Sequence, residues 1–312
     1  MHYLDFEENI KEVDEKLAQP DLSEAETKRL QAKLKRLVEN TYKRLTPWQK
    51  TLVARHENRP HATDYIHDLI KNFVPLAGDR AFGEDKAVIG GLGKFNGRTV
   101  MVIGTEKGKD TASRLEHNFG MARPEGYRKA IRLMKLAEQF GLPVLTFVDT
   151  AGAFPGVDAE ARGQGQAIAA CIQACLEVRV PMISTIIGEG GSGGALALAV
   201  GNKVLMLENA IYSVISPEGC ASILWKDFKF AKQATRALKM TAKDLLGLGV
   251  IDEIIPEPIG AAHRFPKETI AAVGAGIEKA LKELESLDGD ALILQRQEKF
   301  LTMGVQNHKK RK

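Results

Sequence analysis

The feature that most restricts the fold of this chain is a glycine-rich turn between an apolar run and a run of small apolar residues. Five glycines lie between Gly188 and Gly194, directly after the apolar residues 182–187 and before the small apolar residues 195–200. Glycine loses the most freedom on folding and packs nothing, so such a cluster predicts a backbone that closely approaches another group. A helix beginning there directs N–H groups without intrahelical acceptors, and the positive end of its dipole, at that group.

From about residue 85 the sequence alternates between apolar strand patterns and amphipathic helix patterns. Apolar strands followed by helices predict an α/β protein with a parallel sheet that is covered on its faces. The predicted strands are 88–90, 99–103, 144–148, 182–187, 204–207, 212–215 and 250–255. The predicted helices are 126–140, 159–176, a short one from about 194, 218–226, 230–239 and 267–287.

The chain divides into three predicted parts. Residues 1–84 form an N-terminal helical extension, in which Ser23 and Glu26 have the spacing of a capping box. Residues 85–300 form one catalytic-type domain, and residues 301–312 form a basic C-terminal tail. The formal charge is only +4, and we interpret the tail as a solvated terminus. The alternative is a scaffold protein whose N-terminal helices and basic tail hold a partner or nucleic acid.

Composition predicts a cytoplasmic protein. Three cysteines argue against a disulfide framework and for a reducing compartment. Cys171 and Cys175 lie one helical turn apart, but no nearby His or third Cys completes a metal site, so we predict no metal. The acidic start predicts no secretory leader, and no apolar run reaches the roughly 18 residues needed to span a membrane.

The glycine-rich turn also matches the dinucleotide-binding fingerprint. Gly188, Gly190 and Gly193 have the required spacing, and Glu208 lies about 20 residues further on. That fingerprint opens a full-length helix, whereas Gly201 and Asn202 end this one early. A phosphate loop is excluded because no Lys-Ser or Lys-Thr follows the glycines. The nucleotide interpretation is therefore disfavoured.

A serine hydrolase is the competing enzyme class. Gly190-x-Ser192-x-Gly194 fits a nucleophile elbow, and Asp252 and His263 follow in the order of a triad. Against it, no strand pattern brings His263 to Ser192, and flanking glycines mount a nucleophile poorly. We keep this class as the alternative.

A third interpretation is electrostatic. The N–H groups of Gly193, Gly194 and Ala195 would form an oxyanion hole. The purely structural alternative is a tight glycine turn that lets the helix pack closely on the strand. A second loop, Gly152, Ala153, Phe154, Pro155 and Gly156, follows the strand 144–148. Because neighbouring parallel strands end at one edge of a sheet, both loops should face one cleft. Glu218 is interpreted as a first-turn carboxylate that favours the helix dipole. No acid–base pair is evident, which favours a reaction whose proton is moved by the substrate or cofactor.

Long segments resemble one family. The segments VDTAGAFPGVDAEARGQG, IIGEGGSGGALALAVGNKV and YSVISPEGCASILWK are similar to the α subunit of bacterial acetyl-CoA carboxylase carboxyltransferase. So are LAGDRAFGEDKAVIGGLGKFNGRTVMVIG and NFGMARPEGYRKAIRLMKLAEQF. The likeness covers roughly residues 3–300.

This resemblance implies a crotonase-like (ClpP/crotonase) ββα spiral with an N-terminal helical extension. It implies transfer of a carboxyl group from carboxybiotin, held on a biotin carboxyl carrier protein, to acetyl-CoA, giving malonyl-CoA for fatty-acid synthesis. It also implies an α2β2 assembly with a carboxyltransferase β subunit that carries zinc, and a wider complex in which biotin carboxylase uses ATP. Biotin would not be attached to this chain.

The resemblance assigns site residues only where positions match. Gly193, Gly194 and Ala195 would bind the ureido oxygen of biotin through their N–H groups, and Gly152–Gly156 would line the cleft. The freed biotin nitrogen would take the proton from acetyl-CoA, while the β subunit would hold the resulting enolate. Many relatives have Pro at the position of Ala151 and Tyr at that of Phe154, so no tyrosine hydroxyl is expected here.

Overall fold

The computed structural model describes residues 2–305 and places eight strands in one sheet. Most lie where the apolar runs predict them. The strands are β1 Lys71–Pro75, β2 Val88–Phe95, β3 Arg98–Thr105, β4 Val144–Thr150, β5 Met182–Gly191, β6 Lys203–Leu207, β7 Ile211–Ser213 and β8 Glu253–Ile255. Strand β1 was not predicted.

Fourteen α-helices surround the sheet within the described residues. They are α1 Glu8–Leu17, α2 Glu24–Tyr42, α3 Pro47–Ala54, α4 Ala62–Leu69, α5 Thr111–Glu116, α6 Pro124–Gln139, α7 Val157–Ala161, α8 Gln164–Glu177, α9 Ser192–Leu196, α10 Pro217–Trp225, α11 Ala231–Leu238, α12 Ala242–Gly247, α13 Pro266–Leu284 and α14 Gly289–Thr302. The predicted helix 159–176 is two helices, because Gly163 has a φ of +80° that a continuous helix does not allow.

The sheet has the order β1-β2-β3-β4-β5-β6-β8, with β7 paired to β5 beyond the end of β6. From β3 onward the pairs are parallel, as predicted, but β1, β2 and β3 are antiparallel. Asn96 and Gly97 explain the difference: both have positive φ, at +46° and +82°, as a two-residue hairpin turn requires.

Strands β4 and β5 form the centre of the core. Every residue in both strands is buried, which shows that the sheet is covered on both faces. Helices α6 and α8 pack on each other. Helices α4 and α13 also contact each other, and both pack against strands of the sheet. The carboxyl ends of β4 and β5 therefore project from a rigid base.

The N-terminal segment packs against this core. Helices α1 and α2 form a hairpin, and Arg264 joins it to the body through Glu7 and Asp14, at 3.1 and 3.3 Å. Strand β1, within the predicted extension 1–84, is part of the sheet. Among residues 2–305, no helix combines the length and the apolar character needed to cross a bilayer. Of the predicted tail 301–312, residues 301–302 end helix α14, and residues 306–312 lie outside the described residues.

Candidate functional site

The glycine-rich turn runs from the end of β5 into α9. The helix begins at Ser192 rather than near Gly194, with Gly191 as its N-cap. Gly193 and Gly194 are therefore among the first amides of the helix, which have no intrahelical acceptor, and Ala195 follows them. Within residues 2–305, neither a side chain nor a loop carbonyl accepts a hydrogen bond from Gly193 or Gly194. The local structure supplies backbone donors with no capping group.

The two predicted loops lie against each other. A Cβ atom on Gly194 would be 2.5 Å from the carbonyl carbon of Gly152 and 2.7 Å from the nitrogen of Ala153. A Cβ on Gly191 would overlap the carbonyl of Ala151. The glycines are thus needed because two backbones touch at this point. The structure brings the two loops together at the carboxyl edge of β4 and β5.

A cavity of about 400 Å³ opens beside the start of α9. Gly193 is half-buried at its wall, whereas Gly194 and Ala195 are buried. Burial raises the pKa of Tyr212, another wall residue, to about 12, so its hydroxyl stays neutral. The other lining residues are Ser192, Leu196, Ser213, Val214, Leu238, Leu245 and Val250. The cleft is mainly apolar, with backbone donors at one end.

The loop from Gly152 to Gly156 is fixed by its neighbours. The Phe154 N–H donates to the carbonyl of Ala122 at 2.9 Å, and the Gln164 amide donates to the carbonyl of Phe154 at 2.9 Å. The guanidinium of Arg123 lies 4.3 Å from the centre of the Phe154 ring. By contrast, the N–H of Ala153 has no acceptor within the described part of the chain. Ala153 therefore offers one further free donor close to Gly194.

The serine hydrolase alternative is not supported. His263 bonds to the Tyr42 hydroxyl at 3.2 Å and stacks on His56 at 3.9 Å. Burial, helped by neighbouring positive charges, lowers the pKa of His263 to about 2. Asp252 instead pairs with Lys299 at 2.8 Å. Within residues 2–305, no histidine lines the cavity beside Ser192.

Ser192 has a left-handed backbone, with a φ of +54°. This conformation costs a non-glycine residue about 1–2 kcal/mol. We expect Ser192→Gly to raise the free energy of unfolding by about 1 kcal/mol, and Ser192→Ala to leave it nearly unchanged. Both variants should keep the carboxyl transfer that the family resemblance implies. Urea denaturation and the transfer assay described below test this, and loss of transfer in a folded Ser192→Ala would restore the serine as a reacting group.

A charged network behind the turn was not predicted from the sequence. Arg55, at the end of α3, binds both Glu189 and Glu218, each with a shortest distance of 2.7 Å. Although burial opposes it, this arginine lowers the pKa of Glu218. Glu218 does lie in the first turn of α10, but it also forms an ion pair. The one available signal was Glu189 itself, a charged side chain among five glycines.

Asp149 extends the network beneath the second loop. Its Oδ1 atom accepts a hydrogen bond from the Glu189 N–H at 2.8 Å and lies 2.6 Å from the Lys107 Nζ. Asp149 also fits directly against Gly188, where a Cβ would meet its carboxylate at 2.5 Å. The ends of β4 and β5 are therefore joined by a buried charge as well as by backbone pairing.

Glu7, His56 and His263 place ligand-type atoms within 4.8 Å of one another. However, Glu7 already binds the Arg264 guanidinium and the Tyr42 hydroxyl, and the Nδ1 of His56 accepts from the Asn58 N–H. A guanidinium beside the group opposes a second cation. These contacts fit an ion-pair network better than a metal site.

Apolar side chains are exposed around the cleft. Val214, at its wall, is 81% exposed, and Phe228, just after α10, is 65% exposed. Exposed apolar side chains that form one patch mark interaction sites. The exposed large apolar residues in and next to helices α10–α12, here called the α10–α12 surface, are Val214, Ile223, Leu224, Phe228, Phe230, Leu246 and Leu248.

Comparison with known proteins identifies the family. The family model described as acetyl co-enzyme A carboxylase carboxyltransferase-like matches residues 3–304. This chain belongs to that family. It is 59% identical to the acetyl-coenzyme A carboxylase carboxyl transferase subunit alpha of Paramagnetospirillum magneticum, over 97% of this chain and 98% of that protein. It is 57% identical to the subunit of the same name from Zymomonas mobilis, over 97% and 99%.

Solved structures confirm the crotonase-like fold. Transcarboxylase 12S, with methylmalonyl-coenzyme A and methylmalonic acid bound, has a TM-score of 0.59 at 19% identity, over 72% of this chain and 41% of that one. A Pseudomonas malonate decarboxylase hetero-tetramer in complex with coenzyme A has a TM-score of 0.56 at 16% identity, over 67% and 84%. At these identities the likeness shows the fold alone.

Proposed function

We propose that this chain is the α subunit of an acetyl-CoA carboxyltransferase and moves a carboxyl group from carboxybiotin to acetyl-CoA, forming malonyl-CoA. Family membership supports the reaction class. The observation that carries the site is the uncapped start of α9 beside an apolar cleft, where the amides of Gly193 and Gly194 lack side-chain acceptors. Such donors stabilise charge that develops during a reaction.

In this proposal the Gly193 and Gly194 amides bind the ureido oxygen of biotin. Negative charge grows on that oxygen as the carboxyl group leaves, so fixed donors favour the transition state over the ground state. Ala195 lies just beyond these amides, and its buried methyl group packs α9. Carboxybiotin supplies the carboxyl group and then a basic nitrogen for the proton of acetyl-CoA. This chain supplies donors and position, in keeping with a cleft that holds no neighbouring histidine within residues 2–305.

The loop Gly152–Gly156 would hold the bicyclic ring against these donors. The Ala153 nitrogen lies close to Gly194 and has no acceptor within residues 2–305. In the proposal its N–H would add a hydrogen bond from the second loop. Phe154 supplies an aromatic ring without a hydroxyl, and Arg123 covers it. Hydrogen bonding by this loop would rest on its backbone.

A partner subunit would complete the site. The α10–α12 surface borders the cleft and exposes apolar side chains that a second chain would cover. We propose that the carboxyltransferase β subunit covers this surface in an α2β2 heterotetramer. The β subunit would hold acetyl-CoA and carry the zinc. Carboxybiotin would arrive on the biotin carboxyl carrier protein, after ATP-dependent carboxylation by biotin carboxylase.

Co-purification with a candidate β chain, followed by a carboxyl-transfer assay with carboxybiotin and acetyl-CoA, tests this function. We expect transfer from the complex and none from either chain alone. Phe228→Asp and Leu224→Asp should weaken assembly about tenfold or more, because a buried charge replaces an apolar anchor. Phe140→Asp, which changes a similarly exposed residue after α6, is the matched control and should assemble normally. A complex that forms but transfers no carboxyl group would contradict the proposal.

A further inference from the structure

We propose that Arg55 is a positioning residue that fixes the two sides of the cleft relative to each other. This inference rests on the proposed function. The Arg55 Nε and Nη2 atoms donate to the Glu189 carboxylate at 3.0 and 2.7 Å. Its Nη1 and Nη2 atoms donate to the Glu218 carboxylate at 2.7 and 3.3 Å. One guanidinium thus makes two forked contacts, an arrangement that a planar arginine forms and a lysine ammonium does not.

Each carboxylate lies close in sequence to a different part of the cleft lining. Glu189 lies three residues before Ser192, within the turn that orients the α9 amides. Its own N–H is held by Asp149, so both its backbone and its side chain are fixed. Glu218 lies in the first turn of α10, directly after the segment in which Ser213 and Val214 line the cleft. Arg55 is the side chain that contacts both.

The charges explain why the contact matters. Glu189 is buried and Glu218 is only partly exposed, and the two carboxylates converge on one cation. Without that cation they would repel each other, and Glu189 would be left buried without its counter-ion. The expected response is separation of the turn from α10. A displacement of about 1 Å is enough to reduce catalysis ~100-fold in a site that works by orientation.

Arg55 comes from a distant part of the chain. It follows α3, which also contacts β5 and β7, and Lys50 of that helix donates to the carbonyl of Glu208 at 3.0 Å. The end of α3 is therefore fixed to the body by neighbouring contacts. This rigidity is what a positioning residue requires.

The test compares Arg55→Ala and Arg55→Lys in the complex with the β subunit. We expect kcat for carboxyl transfer to fall ~100-fold in Arg55→Ala, with the KM for acetyl-CoA little changed, and less in Arg55→Lys. Arg55 lines a separate cavity of about 420 Å³, so free guanidinium can reach the space that alanine leaves. Millimolar guanidinium, well below denaturing concentrations, should restore part of the lost kcat in Arg55→Ala and have no such effect on the wild type.

Arg264→Gln is the matched control, because Arg264 also joins the N-terminal segment to the body through two carboxylates, Glu7 and Asp14. It should lower the thermal midpoint and leave kcat unchanged. If Arg55→Ala does not fold, Arg55→Lys and Glu218→Gln carry the test through the same split between kcat and KM. A wild-type kcat in these folded variants overturns the inference. A fall in kcat no larger than the one measured for Arg264→Gln also overturns it. Failure of the wild-type complex to transfer carboxyl would instead refute the proposed function.

Discussion

Gly194→Ala is expected to reduce carboxyl transfer by ~100-fold or more, because it would move the donors away from the oxygen that we propose they stabilise. Its new methyl group would lie 2.5 Å from the carbonyl carbon of Gly152. The obstacle is the backbone of buried Gly152 in the loop after β4, so it has no rotamer through which to give way. The loop and α9 must separate, and overpacking of this kind also costs about 1–3 kcal/mol of stability.

The measurement is kcat/KM of the reconstituted complex, together with urea denaturation of this chain. Gly165→Ala, in the first turn of α8, is the matched control, because a Cβ there meets nothing within 4 Å. It should leave transfer unchanged and raise stability by about 0.5–1 kcal/mol, the usual gain over glycine in a helix. A fully active Gly194→Ala would mean that the contact between the two loops is irrelevant to the chemistry.

Glu257→Gln is expected to destabilise the fold by about 3–5 kcal/mol, because it leaves the buried Arg59 charge without its partner. The two side chains are 1% and 0% exposed, with 2.7 Å between Arg59 Nη2 and Glu257 Oε1. Arg59 also donates to the carbonyl of Ile187 at 2.7 Å, so the loss would be transmitted to the base of the glycine-rich turn.

The same pair predicts how stability depends on pH. Burial raises the pKa of Glu257, but the Arg59 charge and two backbone N–H groups outweigh it and lower the pKa below its usual range. A carboxylate with a lowered folded-state pKa stabilises the protein above its unfolded pKa of about 4.3, and that contribution is lost as the pH falls further. The urea midpoints of the wild type and Glu257→Gln should therefore differ at neutral pH and converge as the pH becomes acidic.

Glu253→Gln provides the comparison for this prediction. Glu253 pairs with Lys279 at 2.9 Å, but the two side chains are 35% and 59% exposed. An exposed pair contributes about 1 kcal/mol or less, so this variant should unfold close to the wild-type midpoint. Equal destabilisation by the two glutamate changes would show that the burial of Glu257 does not matter.

Sequence-based prediction succeeded best for elements whose signal lies within one short segment. Strands β4 and β5 and the loops after them were predicted from apolar runs and glycines, since parallel neighbours must end at one edge. Helix α9 begins at Ser192, two residues before the predicted start near Gly194. Ser192 has a left-handed backbone there, which no local preference of serine predicts. That shift decides which amides lack acceptors.

Three features had no local signal. Alternation of strands and helices did not distinguish a crotonase-like spiral from a dinucleotide-binding sheet; the family resemblance did. The pairing of β7 with the far end of β5 depends on strands folding back outside the main sheet order, which periodicity does not encode. Arg55 lies 134 residues from Glu189 and 163 from Glu218, and nothing near it in the sequence marks it as part of the site.

That separation also has a consequence during synthesis. Arg55 leaves the ribosome 134 residues before Glu189 does, a delay of roughly 7–27 s at about 5–20 residues per second. Throughout that interval its guanidinium has neither of its two native partners, and α3 has no strand β5 to lie against. The cleft can therefore form only late in translation, after both Glu189 and Glu218 have been synthesised and can pair with Arg55.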